Sequence, residues 1–233
     1  GAGGEAGPRR PGAGLDRGAG GDLWSGRAEA FRASPTHAVG EDLDLLIEWC
    51  EPGPGVRALD VATGGGHVAR RLREAGCEVV SLDPAPGMQP DVIARAEQIP
   101  FADASFDVVA CRIAPHHFDD VVAAVKEMAR VAGEHVVIED NLFFDEASEE
   151  AERLRDPSHV RCYGQPEWTS FFELAGLEVV GERRFDRSVP LQAWLDRVQT
   201  PEPDAGRVRE LLAHRIHAHT VSMATLVIKG RKS

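Results

Sequence analysis

Apolar positions along this chain switch repeatedly between two periods. Leu43, Leu46, Ile47 and Cys50 recur at helical spacing and predict an amphipathic helix. Pro52-Gly-Pro-Gly55 stops it and launches a short apolar run, Val56 to Ala62. A helical pattern follows (Val68, Leu72, Ala75) and ends at Gly76; a strand then runs from Cys77 to Leu82 and closes on Asp83. Beyond a segment broken by Pro and Gly come a short strand near Val92 to Ala94 and another from Phe106 to Cys111. The next helix carries Val121, Val122, Val125, Met128 and Ala129 inward and is expected to end at Gly133, before a fifth strand from His135 to Glu139. Such strand–helix alternation predicts an α/β fold, a parallel sheet with helices on both faces.

The flanks are less regular. Residues 1–21 are rich in Gly, Ala and Arg without apolar periodicity and read as a flexible tail. Asp22 is placed to cap a helix with Leu23, Trp24, Ala28 and Phe31 on one face. Downstream, Asp145 to Arg155 reads as a charged, exposed helix, and Pro166 opens another with Trp168, Phe171, Phe172 and Ala175 inward, ended by Gly176. Leu177 to Phe185 and Thr220 to Ile228 read as strands. Between them lie helical patterns at Leu191, Trp194, Leu195 and Val198, and at Val208, Leu211 and Leu212.

Bulk properties narrow the classes. A chain of 233 residues with 42% hydrophobic content can bury one full core, so residues 22–233 are expected to form one domain, with its core in about 42–140 and 165–233. The net charge of −12 argues against a nucleic-acid groove, which needs clustered Lys and Arg. No run approaches a membrane span and no signal segment opens the chain, so a cytoplasmic location is expected. The four cysteines (50, 77, 111 and 162) have no metal-ligand spacing; they read as buried thiols, and no metal is expected.

The candidate chemistry begins where the first strand ends. Asp60 is set into the strand, which runs through Thr63 into three glycines, Gly64, Gly65 and Gly66, and then into a helix. A buried strand, a glycine turn and a helix N-terminus bring backbone close to a nucleotide-like ligand. Asp83, closing the next strand 19 positions after Gly64, has the spacing of an acid that meets a ribose hydroxyl pair. Ala69 stands where a dinucleotide pattern starting at Gly64 would want its last glycine, a tolerated change, but an acid inside the first strand is less usual there.

Asp60-x-x-x-Gly64-x-Gly66 resembles motif I of the class I S-adenosylmethionine (SAM)-dependent methyltransferases. Val79-Val-Ser-Leu-Asp83-Pro, Ala96-Glu97-Gln-Ile-Pro-Phe-Ala-Asp-Ala-Ser-Phe-Asp107 and Cys111-Arg-Ile-Ala-Pro-His-His-Phe118 agree with it in order and spacing. The stretch from about residue 31 to 140 is similar to the ubiquinone/menaquinone-biosynthesis C-methyltransferases (methyltransferase type 11). The resemblance implies a Rossmann-like, seven-stranded, mostly parallel sheet whose last strand runs antiparallel, with a helical cap over the substrate side. It also implies that SAM lies with its methionine end on the glycine turn and its ribose hydroxyls on Asp83. The segment around His37 would fold over the cofactor. Arg95-Ala96 stands where the family has an acidic or amide residue and then Ala. Arg95 cannot accept a hydrogen bond from adenine, so stacking by Arg95, acceptance by Glu97 or a backbone contact are the alternatives.

The segment from Arg112 to Phe118 follows the fourth strand, at the edge where open α/β sheets place ligands. His116 and His117 there are candidate bases, because histidine takes a proton near neutrality; His117, further past the strand end, is favoured, and orienting the loop is the rival role. Glu139-Asp140-Asn141 closes the fifth strand, where a carboxylate, Glu139 first, is a further candidate acceptor of a proton or a substrate hydroxyl; helix capping and hydrogen bonds to the loop are the rival. Asp156 to Tyr163, with Trp168, could line an aromatic substrate pocket, although aromatics at helical spacing more often build core. The function expected is methyl transfer from SAM to a small-molecule acceptor, with C-methylation favoured and O- or N-methylation open. The alternatives are a SAM-binding regulator without catalysis and an NAD-dependent dehydrogenase. A homodimer is left open.

Overall fold

The structure is a computed structural model that describes residues 19–32 and 39–232. One mixed sheet forms the frame. Its strands are β1 (Arg57–Val61), β2 (Glu78–Asp83), β3 (Val92–Ile93), β4 (Phe106–Arg112), β5 (Ala132–Asn141), β6 (Leu177–Pro190), β7 (Ile216–His217) and β8 (Thr220–Lys232). They lie in the order β3-β2-β1-β4-β5-β8-β6, and the two-residue β7 pairs with β8. The first five are parallel, and β8 runs antiparallel to both β5 and β6. The seven strands expected are therefore present, with β7 as a short addition. β6 extends to Pro190, beyond the Phe185 expected, because it stays paired with β8 over its whole length.

Consecutive strand residues serve opposite faces, as the two-residue side-chain period requires. Leu59, Val109, Val136 and Ile228 pack on one side with α4 (Val121–Val131) and α6 (Gln165–Leu174). Their neighbours Ala58, Val108, Val137 and Val227 pack on the other with α2 (Glu41–Trp49) and α3 (His67–Glu74). Both layers are dry, which is why the central strands read as continuous apolar runs. A third cluster, Ala151, Trp194, Leu195, Val208 and Val221 among its members, joins α5 (Glu146–Arg155), α7 (Leu191–Asp196) and α8 (Asp204–Leu211) into a cap.

The N-terminal helix, α1 (Ala19–Arg32), begins before Asp22, and the expected tail before residue 19 lies outside the described residues, as does His37. On α1, Ala28 is buried against Ala85 and Met88, with Trp24 packed beside them. Three other expectations are corrected. Gly133 does not stop α4; it already lies in β5, which starts at Ala132. α5 is not wholly exposed: it buries Ser148, Glu149, Ala151 and Glu152. A charged sequence hid that face because its buried polar groups are partnered, Glu149 accepting from His159 Nε2 at 3.0 Å and Glu152 from Arg155 at 3.2 Å. Trp168 belongs to the core, edge-on to Tyr163 and Phe171, and does not line a pocket. Among the described residues no helix is long and apolar enough to cross a membrane.

Candidate active site

The chain winds from β1 to β2 to β3 on one side, then returns to lay β4 on the other side of β1. The connections that leave the carboxyl ends of β1 and β4 therefore run in opposite directions, leaving the crevice where doubly wound sheets bind ligands. Here the crevice is a cavity of about 250 Å³. It reaches from Thr63, Gly64, Gly65 and Asp83 to His116 and His117, and on to Arg155 and Trp194 of the cap.

Hydrogen bonds from two carboxylates set the glycine turn. Asp60, buried, accepts from Thr63 Oγ1 at 2.5 Å and from the Ala69 amide at 3.0 Å. It thus ties the end of β1 to the first turn of α3. Burial pushes its carboxyl up to about 7, against the pull of those two donors. Asp83 accepts the Gly64 amide at 3.0 Å and the Ala85 amide at 2.9 Å, joining the turn to the end of β2. Burial raises its pKa as well. Gly64 and Gly66 adopt φ of +51° and +75°, which disfavour any side chain. A Cβ at Gly66 would meet nothing within 4 Å and one at Gly64 only the Ala62 carbonyl at 3.9 Å, so the turn borders open space.

Arg95, Ala96 and Glu97 follow β3 and line the same cavity. Arg95 is half exposed and pairs with Asp119 at 2.6 Å and Glu97 at 3.3 Å. Glu97 also accepts the Asp119 amide at 3.0 Å, so both charged side chains hold the loop before α4. Ala96 is buried.

After β4, the Pro115–His117 turn presents both histidines to the cavity. His116 Nδ1 and Asp140 Oδ1 share a hydrogen bond at 2.6 Å, and the pair is buried. Burial pushes Asp140 up to about 7 and His116 down to about 3, so ionised aspartate and neutral imidazole coexist only above neutrality. His117 Nδ1 donates to the Ser158 carbonyl at 3.1 Å, and the Trp24 ring meets the imidazole edge-on at 4.7 Å. Burial holds the His117 pKa well below the ordinary range.

Arg112 and Glu139, neighbours in register on β4 and β5, do something else. Arg112 bonds Asp42 at 2.7 Å and Glu139 at 2.5 Å, and Arg187 bonds the same two carboxylates at 2.9 and 2.6 Å. Two guanidiniums and two carboxylates thus form a closed buried network that links α2, the sheet and β6. Burial pushes Glu139 up to about 7 against the pull of Arg112. For Asp42 the burial cost is outweighed by its hydrogen bonds and by the two arginines, which bring it down to about 2. Arg112 lines the cavity, whereas Glu139 lies beneath the lining.

Sequence reasoning missed several residues here. Trp24 of α1 lines the cavity, and Arg27 fastens that helix to its wall by bonding both Asp156 oxygens at 3.1 Å and the Val198 carbonyl at 3.1 Å. Arg155, Arg187, Trp194 and Arg197 were also unassigned. No local signal marks them, because they meet only when the cap folds onto the sheet.

The comparisons with known proteins agree with this geometry. The family described as a methyltransferase domain matches residues 59–136, the span from β1 into β5. The methyltransferase YcgJ of Bacillus subtilis, itself uncharacterized, is 32% identical over 228 residues, 88% of each chain. Its solved structure superposes with a TM-score of 0.69 at 28% identity, over 82% of this chain and 97% of that one. The Bacillus halodurans protein BH2331 gives 0.73 at 26% identity, over 83% of this chain and 99% of its own. The chain belongs to the class I SAM-dependent methyltransferases, in the type 11 family. Its cofactor is SAM, and the dehydrogenase reading falls away. The turn fits that cofactor, since the Gly64–Gly66 border is free of side chains and Asp83 stands beside it.

Proposed function

We propose that this enzyme methylates a small-molecule acceptor, at carbon in the favoured case, and that the His116–Asp140 pair takes the proton the acceptor gives up. The observation that carries the reading is the shared cavity: one continuous space is lined by the glycine turn and Asp83 and by both histidines. SAM supplies a sulfonium methyl that is already strongly electrophilic. The protein's contribution is alignment, with proton removal where the acceptor needs it.

In this reading Gly64 and Gly65 leave room for the methionine end, Asp83 accepts from the ribose hydroxyls, and Ala96 with its backbone flanks the adenine. Asp140 fixes the His116 tautomer with the proton on Nδ1, which makes Nε2 the acceptor, and it stabilises the imidazolium formed on proton uptake. His117, fixed through Nδ1 by Ser158 and braced by Trp24, positions the acceptor beside it. Glu139 is a positioning residue, because its oxygens are committed to Arg112 and Arg187. A small acceptor rather than nucleic acid suits the enclosed cavity and the net charge of −12.

The test is transfer of labelled methyl from SAM into a fractionated pool of small metabolites. Label appearing in a small product that survives base treatment supports the reading, and the ¹³C shift of a ¹³C-methyl product then separates C-methylation from O- or N-methylation. Label that base releases as methanol indicates an ester instead. Label only in protein or nucleic acid would defeat the reading.

A further inference from the structure

Three guanidinium groups from distant parts of the chain converge on the cap's share of the cavity wall. Arg155 ends α5, Arg187 lies in β6, and Arg197 follows α7; all three line the space. Arg155 is held flat, its Cζ 4.0 Å from the centre of the Trp194 ring and its Nε donating to the Trp194 carbonyl at 3.1 Å. Nη1 of Arg155 bonds Glu152 at 3.2 Å, while Nη2 has no partner among the described residues. Arg187 directs Nη2 to Asp42, Glu139 and Thr225, and its Nη1 likewise has no partner among the described residues.

Like charges gathered on a partly buried wall repel, and the effect is visible at Arg197. Burial first, and then the charges of Arg155 and Arg187, lower its pKa. Charge clusters of this kind recur where a ligand of opposite sign completes the arrangement. The bulk charge of the chain is −12, so a cationic wall runs against the composition. Beside the arginines the lining carries the apolar Val189, Val198 and Met223 and one carboxylate, Asp156, which Arg27 holds at 3.1 Å.

We propose that the acceptor is a carboxylic acid, its carboxylate bound by Arg155, Arg187 and Arg197 and its apolar body laid on Val189 and Met223. A planar carboxylate matches the two-bond fork of guanidinium, and each charge-assisted bond is stronger than a neutral one. The carboxylate is the handle, and the methylated atom is elsewhere, near His116. This proposal rests on the methyltransferase reading above.

The experiment titrates the complex with S-adenosylhomocysteine (SAH) by calorimetry. The probes are acid–amide pairs with different bodies (phenylacetate, 4-hydroxybenzoate and hexanoate, each with its amide) and phenyl phosphate. At least one acid should bind about tenfold or more tightly than its amide, and more tightly than phenyl phosphate. Arg155→Gln and Arg197→Gln should each erase that preference with SAH affinity unchanged, and Arg197→Lys should retain part of it. If Arg155→Gln does not fold, Arg197→Gln decides alone. Equal binding of acid and amide, no binding by any acid, preference for the phosphate, or an intact preference in the folded variants would each overturn the proposal. Loss of SAH binding by the parent protein would strike instead at the methyltransferase reading.

Discussion

Asp140 Oδ1 lies 2.6 Å from His116 Nδ1, within a buried pair that faces the ligand cavity. The carboxylate decides which nitrogen carries the proton, and so which nitrogen can take one. It also sets a pH dependence. Above about pH 7 Asp140 is ionised and His116 is a neutral base; below it the pair takes up a proton and the base is lost. Turnover should rise with pH through about 7 for an acceptor that gives up a proton. His116→Ala should lower kcat by about 10²–10⁴-fold, the usual share of general base catalysis, and leave SAH affinity nearly unchanged. Asp140→Asn should remove the inflection. Stopped-flow turnover across pH 5.5–9 would test this, and a pH profile unaltered in Asp140→Asn would exclude the pair as the base.

Asp83→Ala should weaken SAM and SAH by about ten- to a hundredfold, since charge-assisted bonds are worth about 1.5–3 kcal/mol. Asp83 also accepts the Gly64 amide, so loosening of the turn adds to the loss. Calorimetry on the two ligands measures it; unchanged affinity would remove Asp83 from the ribose.

Gly66→Val should combine two effects. With φ at +75° the new side chain strains the backbone by about 1–2 kcal/mol. Its Cβ also projects into open space that the cofactor would fill. We expect a folded but destabilised protein without measurable SAH binding, read by circular dichroism and calorimetry on one sample. Retained binding would make the turn a mere connector.

Asp42→Ala should be among the most disruptive single changes. It removes one of the two carboxylates that Arg112 and Arg187 share in a largely buried network, and breaking such pairs costs about 3–5 kcal/mol. Glu139→Gln should likewise lower stability in chemical denaturation more than it lowers kcat at saturating substrate. A large kcat defect with native stability would return Glu139 to the list of bases.

The buried carboxyls Asp60 and Asp140 should favour the folded state more as pH falls from 7 toward 5. Asp60 and Asp140 are raised to about 7 by burial, so the folded chain holds protons that the unfolded chain has released. Their contribution is full below the unfolded carboxylate range and is lost as pH climbs through about 7. Asp42 and Asp156, brought down to about 2, act the other way below about pH 4. His116 and His117 act the other way between pH 7 and 5, because burial lowers their pKa values and the unfolded chain takes up protons there that the folded chain does not. Urea midpoints at pH 5 and 7 for the parent and for Asp60→Asn isolate the carboxyl contribution: the variant should lose part of the advantage at pH 5, and an identical pH response in the two would contradict it.

The sequence by itself determined the sheet and the cofactor turn. Val56 to Ala62, Cys77 to Leu82 and Phe106 to Cys111 are short apolar runs, and strand–helix alternation leaves few ways to stack them. Asp60, Gly64, Gly66 and Asp83 were legible for the same reason: they act through backbone that local chain order positions. Only the tertiary structure showed the partners of Glu139, Arg112 and the histidines, because those partners lie far away in the chain. Glu139 looked like a free acid at a strand end until Arg187, 48 residues later, was seen to bond it. The sequence favoured His117 as the base for its place further past the strand end; we propose His116 instead, because Asp140 reaches that ring, whereas Ser158 reaches His117. Arg155, Arg187 and Arg197 meet only when α5 and α7 fold over the end of β6. Local order encodes period and turn; it does not encode which charges become neighbours once water is removed between them.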